Sequence, residues 1–152
     1  MYVDYEFYKN TFGGELITEE RWASIATRAD IFIDRVTSNR LQDWPPEKEA
    51  AWISVRFAVC SLAEIMDTIR GYKAESHRSA ISGGATAQGG RVKSVTSGKE
   101  SITYSEGSNS VTALYLAAEN PAEEHRLYMN TVTPYLANIA DSRGINLLYA
   151  GV

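Results

Sequence analysis

The sequence predicts a mainly α domain: a small helical bundle with a long flexible Gly/Ser-rich loop and a short β-hairpin inserted before the last helix. Three observations carry that prediction. Trp52, Val55, Val59, Leu62, Met66 and Ile69 recur in alternating steps of three and four, a sustained heptad-like seam. Thr18 and Asn120-Pro121 supply helix-start signals on either side of it. Seven of the eleven glycines fall between Gly71 and Ser110, so turn chemistry interrupts the helical patterning there.

In chain order, Asp4 can cap a short helix over Tyr5 to Phe12, which Gly13-Gly14 would end. Thr18 is a suitable N-cap for a second helix, and Glu19 and Glu20 suit its positive end. Trp22, Ile25, Ala26, Ala29, Phe32, Ile33 and Val36 make its apolar face. Arg21, Arg28 and Arg35 form a cationic stripe on the other side that could bind phosphate or a partner's carboxylates; Asp30 and Asp34, interleaved with it, mostly cancel it and favour a salt-bridged, solvated surface. Trp44-Pro45-Pro46 breaks the chain and places Pro46 near the first position of the third helix. A second apolar row, Ile53, Phe57 and Cys60, lies beside the main seam. A helix with two such rows is buried on more than one side, either centrally in a monomer or against a neighbouring subunit.

Gly71 is expected to end that helix. Ser82-Gly83-Gly84 and Gln88-Gly89-Gly90 follow as flexible segments. Arg91–Thr96 and Glu100–Tyr104 flank Ser97-Gly98-Lys99 as a hairpin. Val111 to Ala118 fits strand or helix, with helix preferred. Asn120-Pro121-Ala122-Glu123 begins the last helix with a capping box; Leu127, Thr131, Val132, Tyr135, Leu136 and Ile139 form its apolar face. Pro134 should kink or break it, and Arg143-Gly144 should end it. Ile145 to Val152 is then an apolar tail, which either folds onto the core or docks on another protein.

A length of 152 residues suits one domain, 1–152, with its own core. No apolar run is long enough to span a bilayer, and the N-terminus lacks the basic and apolar regions of a signal peptide, so a cytosolic protein is expected. The net charge of −4 argues against a protein that coats nucleic acid. Positions 71–110 carry five cations against three acids, or +2, which leaves −6 on the rest. One cysteine, Cys60, excludes an internal disulfide and a cysteine-based zinc site; on an apolar face it reads as an inert thiol. His77, placed in the loop, and His125, beside Glu123 and Glu124, form no metal-ligand pair. The glycines precede no Lys-Ser or Lys-Thr of a phosphate loop, and no nucleophile elbow is present. No enzyme activity, cofactor or metal is expected.

Several motifs follow one another in a distinctive order. Ile33-Asp34-Arg35-Val36-Thr37-Ser38-Asn39-Arg40-Leu41 closes the second helix. A Trp-rich, Pro-initiated long helix comes next, then Val92-Lys93-Ser94-Val95-Thr96-Ser97-Gly98 and Ser101-Ile102-Thr103-Tyr104. Asn146-Leu147-Leu148-Tyr149-Ala150-Gly151-Val152 ends the chain. Across nearly its whole length this resembles the head–tail connector (head-completion adaptor) proteins of long-tailed bacteriophages and prophages, most closely in the Leu-Leu-Tyr-x-Gly-Val ending. Two departures concern the C-terminal region: Gly144-Ile145-Asn146 stands where the family has a Thr-Gly pair before that ending, and Pro134 is unusual in the last helix.

The resemblance implies a small helical subunit, made in the bacterial host cytoplasm and located at the virion head–tail interface. It would form a ring with copies of itself beneath the portal protein, extend the DNA channel, and present a surface to a downstream stopper or tail-completion protein. DNA would pass without sequence-specific binding, and no membrane is involved. Ile145, Leu147, Leu148, Tyr149 and Val152 are then candidates for portal docking. Arg21, Arg28, Arg35, Ile53 and Phe57 are candidates for subunit contacts. The loop from Gly71 to Gly90 would face the channel or a neighbour. The alternatives are a non-catalytic tail-assembly accessory or another helical protein-binding module, and a small hydrolase whose site only the fold assembles.

Overall fold

The computed structural model describes residues 1–82, 94–97, 100–103 and 109–149. In chain order the elements are α1 (Tyr5–Phe7), a π-helical turn (Tyr8–Phe12), α2 (Glu19–Val36), α3 (Arg40–Asp43), α4 (Glu49–Ser82), β1 (Ser94–Ser97), β2 (Glu100–Thr103), α5 (Asn109–Glu119) and α6 (Pro121–Leu136). Helices α4, α5 and α6 pack on one another and α2 lies along α4. The architecture is mainly helical, with the hairpin between α4 and the last helices, as the patterning predicts.

The first turn forms because the Asp4 carboxylate accepts the Phe7 N–H at 2.8 Å. Gly13, at φ +79°, ends the π-helical turn in a conformation that glycine adopts without steric cost. Gly14 then crosses the Tyr8 ring so closely that a Cβ would lie 2.0 Å from it. That ring is fully buried and stacks on Trp22 at 4.3 Å between centroids. Its hydroxyl donates to Glu64 at 2.9 Å and accepts the N–H groups of Leu16 and Ile17 at 3.1 and 3.2 Å. Burial, reinforced by Glu64, pushes the phenol up to about 12, so it remains a neutral donor. One aromatic side chain thus ties the N-terminal segment to both α2 and α4.

Thr18 takes the N-cap position of α2, but its hydroxyl makes no cap bond; its carbonyl accepts from Arg21 and Trp22 instead. The helix buries the face that the 3.6-residue period assigns to the core, together with Asp30. It stops because Ser38 and Asn39 turn left-handed, at φ 54° and 58°, a conformation costing L residues about 1–2 kcal/mol each. Bonds within the turn offset this. The Asn39 N–H reaches the Asp34 carbonyl at 2.8 Å, and the Thr37 hydroxyl reaches the Ile33 carbonyl at 2.8 Å. The reversal leads into α3, a single turn that no periodicity announces, and leaves Arg40 buried.

Both ends of α4 differ from expectation. Pro46 is buried in the preceding linker, and the helix begins only at Glu49. Gly71 does not end it; the helix runs on to Ser82. Glycine in a helix interior costs about 1 kcal/mol. Contacts just beyond Gly71 offset that: Tyr72 packs on Tyr115 of α5 at 4.5 Å, and Lys73 Nζ lies 2.8 Å from each Glu124 carboxylate oxygen on α6. His77 is therefore an exposed helix residue and not part of a loop. Along the seam Val55, Val59, Leu62 and Ile69 are buried, while Trp52 and Met66 are half-buried.

Strands β1 and β2 pair antiparallel, Ser94 with Thr103 through to Ser97 with Glu100, so two positions separate them and not three. The Gly-rich stretches at 83–84 and 88–90 lie outside the described residues. The ambiguous segment at Val111–Ala118 is helical, within α5. Asn120 caps α6 by accepting the Ala122 N–H at 2.9 Å, with Pro121 in the first turn. Glu123 pairs with Arg126 instead of closing a capping box. Helix α6 ends at Leu136, two residues past Pro134 and well before Arg143-Gly144, which belong to a separate turn. In that turn Ala140 bridges antiparallel to Asn146, with Gly144 at φ +81°.

Candidate functional site

The C-terminal apolar run divides into an anchored part and a presented part. Leu147 is fully buried and belongs to the core cluster, so the free chain does not offer it for docking. Its N–H donates to the Ile139 carbonyl at 2.8 Å. The buried Arg40 guanidinium donates to the carbonyls of Asn146 at 2.7 Å and Leu147 at 3.3 Å. The Asn146 amide donates to the Ala137 carbonyl, and its oxygen accepts the Leu148 N–H at 2.8 Å. Leu148 is half-buried, whereas Ile145 and Tyr149 are 37% and 54% exposed. Val152 lies outside the described residues.

Asp141 organises the turn leading into that segment. Its buried carboxylate accepts the N–H groups of Arg143 at 2.9 Å and Ile145 at 3.0 Å, and the Arg143 guanidinium at 3.1 Å. Burial alone would raise this carboxyl, but these bonds outweigh it and hold it below its ordinary value. The same Arg143 guanidinium lies 3.5 Å above the Trp44 ring, and the Ser142 N–H reaches the Trp44 carbonyl at 3.4 Å. Trp44, Ile145 and Tyr149 are therefore exposed apolar side chains borne by backbone that is held on several sides. A cleft of about 650 Å³ runs alongside, between residues Pro46 to Ser54 on one wall and Pro134 to Gly144 on the other.

The cationic stripe is not neutralised by the acids interleaved with it. Arg21 pairs with Asp67 of α4, Arg28 lines a cleft against α4 and α6, and Arg35 is exposed. Asp30 and Asp34 serve the N-terminal segment: Asp30 accepts the Tyr2 N–H at 3.1 Å, and Asp34 accepts the Tyr2 hydroxyl. Burial raises Asp30, whose Oδ1 has no hydrogen-bond partner among the described groups. The second apolar row of α4 is covered from within at Phe57 and Cys60 but not at Ile53. Phe7 and Phe12 pack edge-on against Phe57 at 6.1 and 5.6 Å, leaving Phe57 half-buried and Ile53 42% exposed. Intramolecular packing thus accounts for Phe57 and Cys60, while Ile53 stays at the surface.

Cys60 is fully buried; burial, then the Glu64 charge, pushes its thiol up to about 12. His125 is exposed, with its ring 5.5 Å from that of Phe32. Among the described residues no three His, Cys, Asp or Glu side chains group so as to hold a metal ion, and no helix is long and apolar enough to cross a membrane. Chemically, the C-terminal turn offers protein contact: apolar and aromatic side chains on pre-ordered backbone, rimmed by Arg143. Arg40, Asp141 and Trp44 are not among the candidate site residues that the sequence suggests. Arg40 stands in one of the family-like motifs and Asn146 in another, and that shared membership was the only available signal of their contact. No protein-family model matches the sequence, no curated protein matches it, and no solved structure matches the fold.

Proposed function

We propose that this chain is a structural connector subunit, a head-completion adaptor that docks beneath a phage portal, assembles with copies of itself around the DNA channel, and receives a stopper or tail-completion protein below. The observation that supports this most is the clamp between Arg40 and the carbonyls of Asn146 and Leu147, because it joins two motifs that carry the family resemblance. A clamped segment loses little further entropy on binding, so exposed Ile145 and Tyr149 can contribute to a docking contact at low ordering cost. The net charge of −4, with 19 acids against 15 cations, suits a channel component past which DNA moves, since a net negative surface repels phosphates overall.

Imaging the full chain mixed with its cognate portal tests this reading. The expected result is a ring stacked coaxially on the portal, lost in Tyr149→Asp while the helical content and melting temperature stay unchanged. A well-folded chain that never associates with the portal overturns it; capture by a tail-assembly component in that case favours the accessory reading. Truncation after Gly144 is a poor test, because it also removes Leu147 from the core.

A further inference from the structure

We propose that the cleft where α2, α4 and α6 meet is an oxyanion site that takes phosphate. The cleft has a volume of about 180 Å³. Arg28 enters from α2, Arg70 and Lys73 from α4, and Glu124 and Tyr128 from α6; Met66 and Ile69 complete the lining. Three cations therefore face a single carboxylate.

That carboxylate is already engaged. Lys73 Nζ lies 2.8 Å from both of its oxygens, and the Tyr128 hydroxyl donates to one of them at 2.7 Å. Burial and the Glu124 charge raise Tyr128, which keeps it a neutral donor. The nearest acid one turn back on α4, Asp67, is taken by Arg21. Arg28 and Arg70 thus bring two positive charges to the cleft, and neither guanidinium has an ion-pair or hydrogen-bond partner among the described residues.

Two guanidiniums supply planar donor forks, the geometry that matches phosphate oxygens. A tetrahedral dianion balances a charge of two, which one carboxylate does not. The apolar lining beside it reduces solvent screening of the attraction. Helices α2 and α4 fix the backbone positions from which the two arginines reach the cleft. The shared chemistry is the phosphoryl oxygen, carried either by free phosphate or by the phosphodiester backbone of a nucleic acid.

The test is titration of the full chain with inorganic phosphate, read by NMR at the arginine Nε–H groups, against sodium chloride and acetate at matched ionic strength. Saturable shifts are expected at Arg28 and Arg70 but not at Arg35. Arg28→Gln and Arg70→Gln should each weaken binding about tenfold or more, because each removes a charge-assisted fork. Both arginines are exposed, so the melting temperature should hold. Should either glutamine variant fail to fold, Arg28→Lys and Arg70→Lys keep the charge, lose the fork, and should still bind more weakly. Equal shifts with acetate, or unchanged affinity in folded variants at both positions, overturns the proposal. A short single-stranded oligonucleotide separates the sources. Competition with phosphate that depends on the same arginines assigns the site to a phosphodiester; untouched arginine signals assign it to free phosphate.

Discussion

Replacing Leu147 by alanine probes how the C-terminal segment is held. The side chain is fully buried in the cluster that also contains Ile33, Leu136 and Ile139. Its backbone is fixed on both sides, by the N–H bond to Ile139 and the carbonyl bond to Arg40, so the surroundings have little freedom to collapse into the vacated space. Truncating a buried leucine costs about 2–5 kcal/mol, more where relaxation is restricted. Taking about 3 kcal/mol, and about 2–4 °C per kcal/mol for a chain of this size, the melting temperature should fall by about 6–12 °C. Tyr149→Ala, two residues on but more than half exposed, should stay within about 0.5 kcal/mol of the parent. Thermal and urea unfolding followed by far-ultraviolet circular dichroism read both variants. A Leu147→Ala protein that unfolds with the parent would refute the assignment of this segment to the core.

Gly14→Ala should destabilise by about 1–3 kcal/mol or more in urea unfolding, because its Cβ would strike the Tyr8 ring, which three hydrogen bonds and the Trp22 stack hold in place. Asp141 has a lowered carboxyl value when folded, so its stabilisation is complete above the unfolded value of 3.8 and fades as pH falls through the lower folded value. Acid titration of Asp141→Asn should therefore show less pH dependence in that window than the parent; Asp30, which burial raises, slopes the opposite way and is common to both proteins. Cys60 should resist a thiol reagent at pH 8 in the native state and react only as the chain unfolds, and rapid stoichiometric labelling of folded protein would contradict its burial.

Local chemistry was legible along the chain. The existence of α2, α4 and α6 and the faces they bury follow from apolar residues at helical spacing, and Asp4 and Asn120 cap helices because a short carboxylate or amide beside the first turn reaches its free N–H groups. The hairpin follows from short alternating runs around Gly98. The buried state of Cys60 follows from its place on an apolar helix face. Each of these signals spans a few residues, so neighbouring residues suffice to express it.

Other features depend on partners far away in the chain. Gly71 has the local preference to end a helix, yet Tyr115 and Glu124 hold the next turn in place. Phe57 has the spacing of a second interface, yet Phe7 and Phe12 cover it. The arginine stripe has acids beside it in sequence, but Asp30 and Asp34 turn to Tyr2 while Arg21 finds Asp67 on another helix. The C-terminal run had two readings, and residue pattern could not choose between them, because an apolar side chain is equally suited to its own core and to another protein's surface. The choice was made residue by residue: Leu147 enters a core that α2, α4 and α6 build together, Arg40 secures the backbone around it, and Ile145 and Tyr149 stay at the surface.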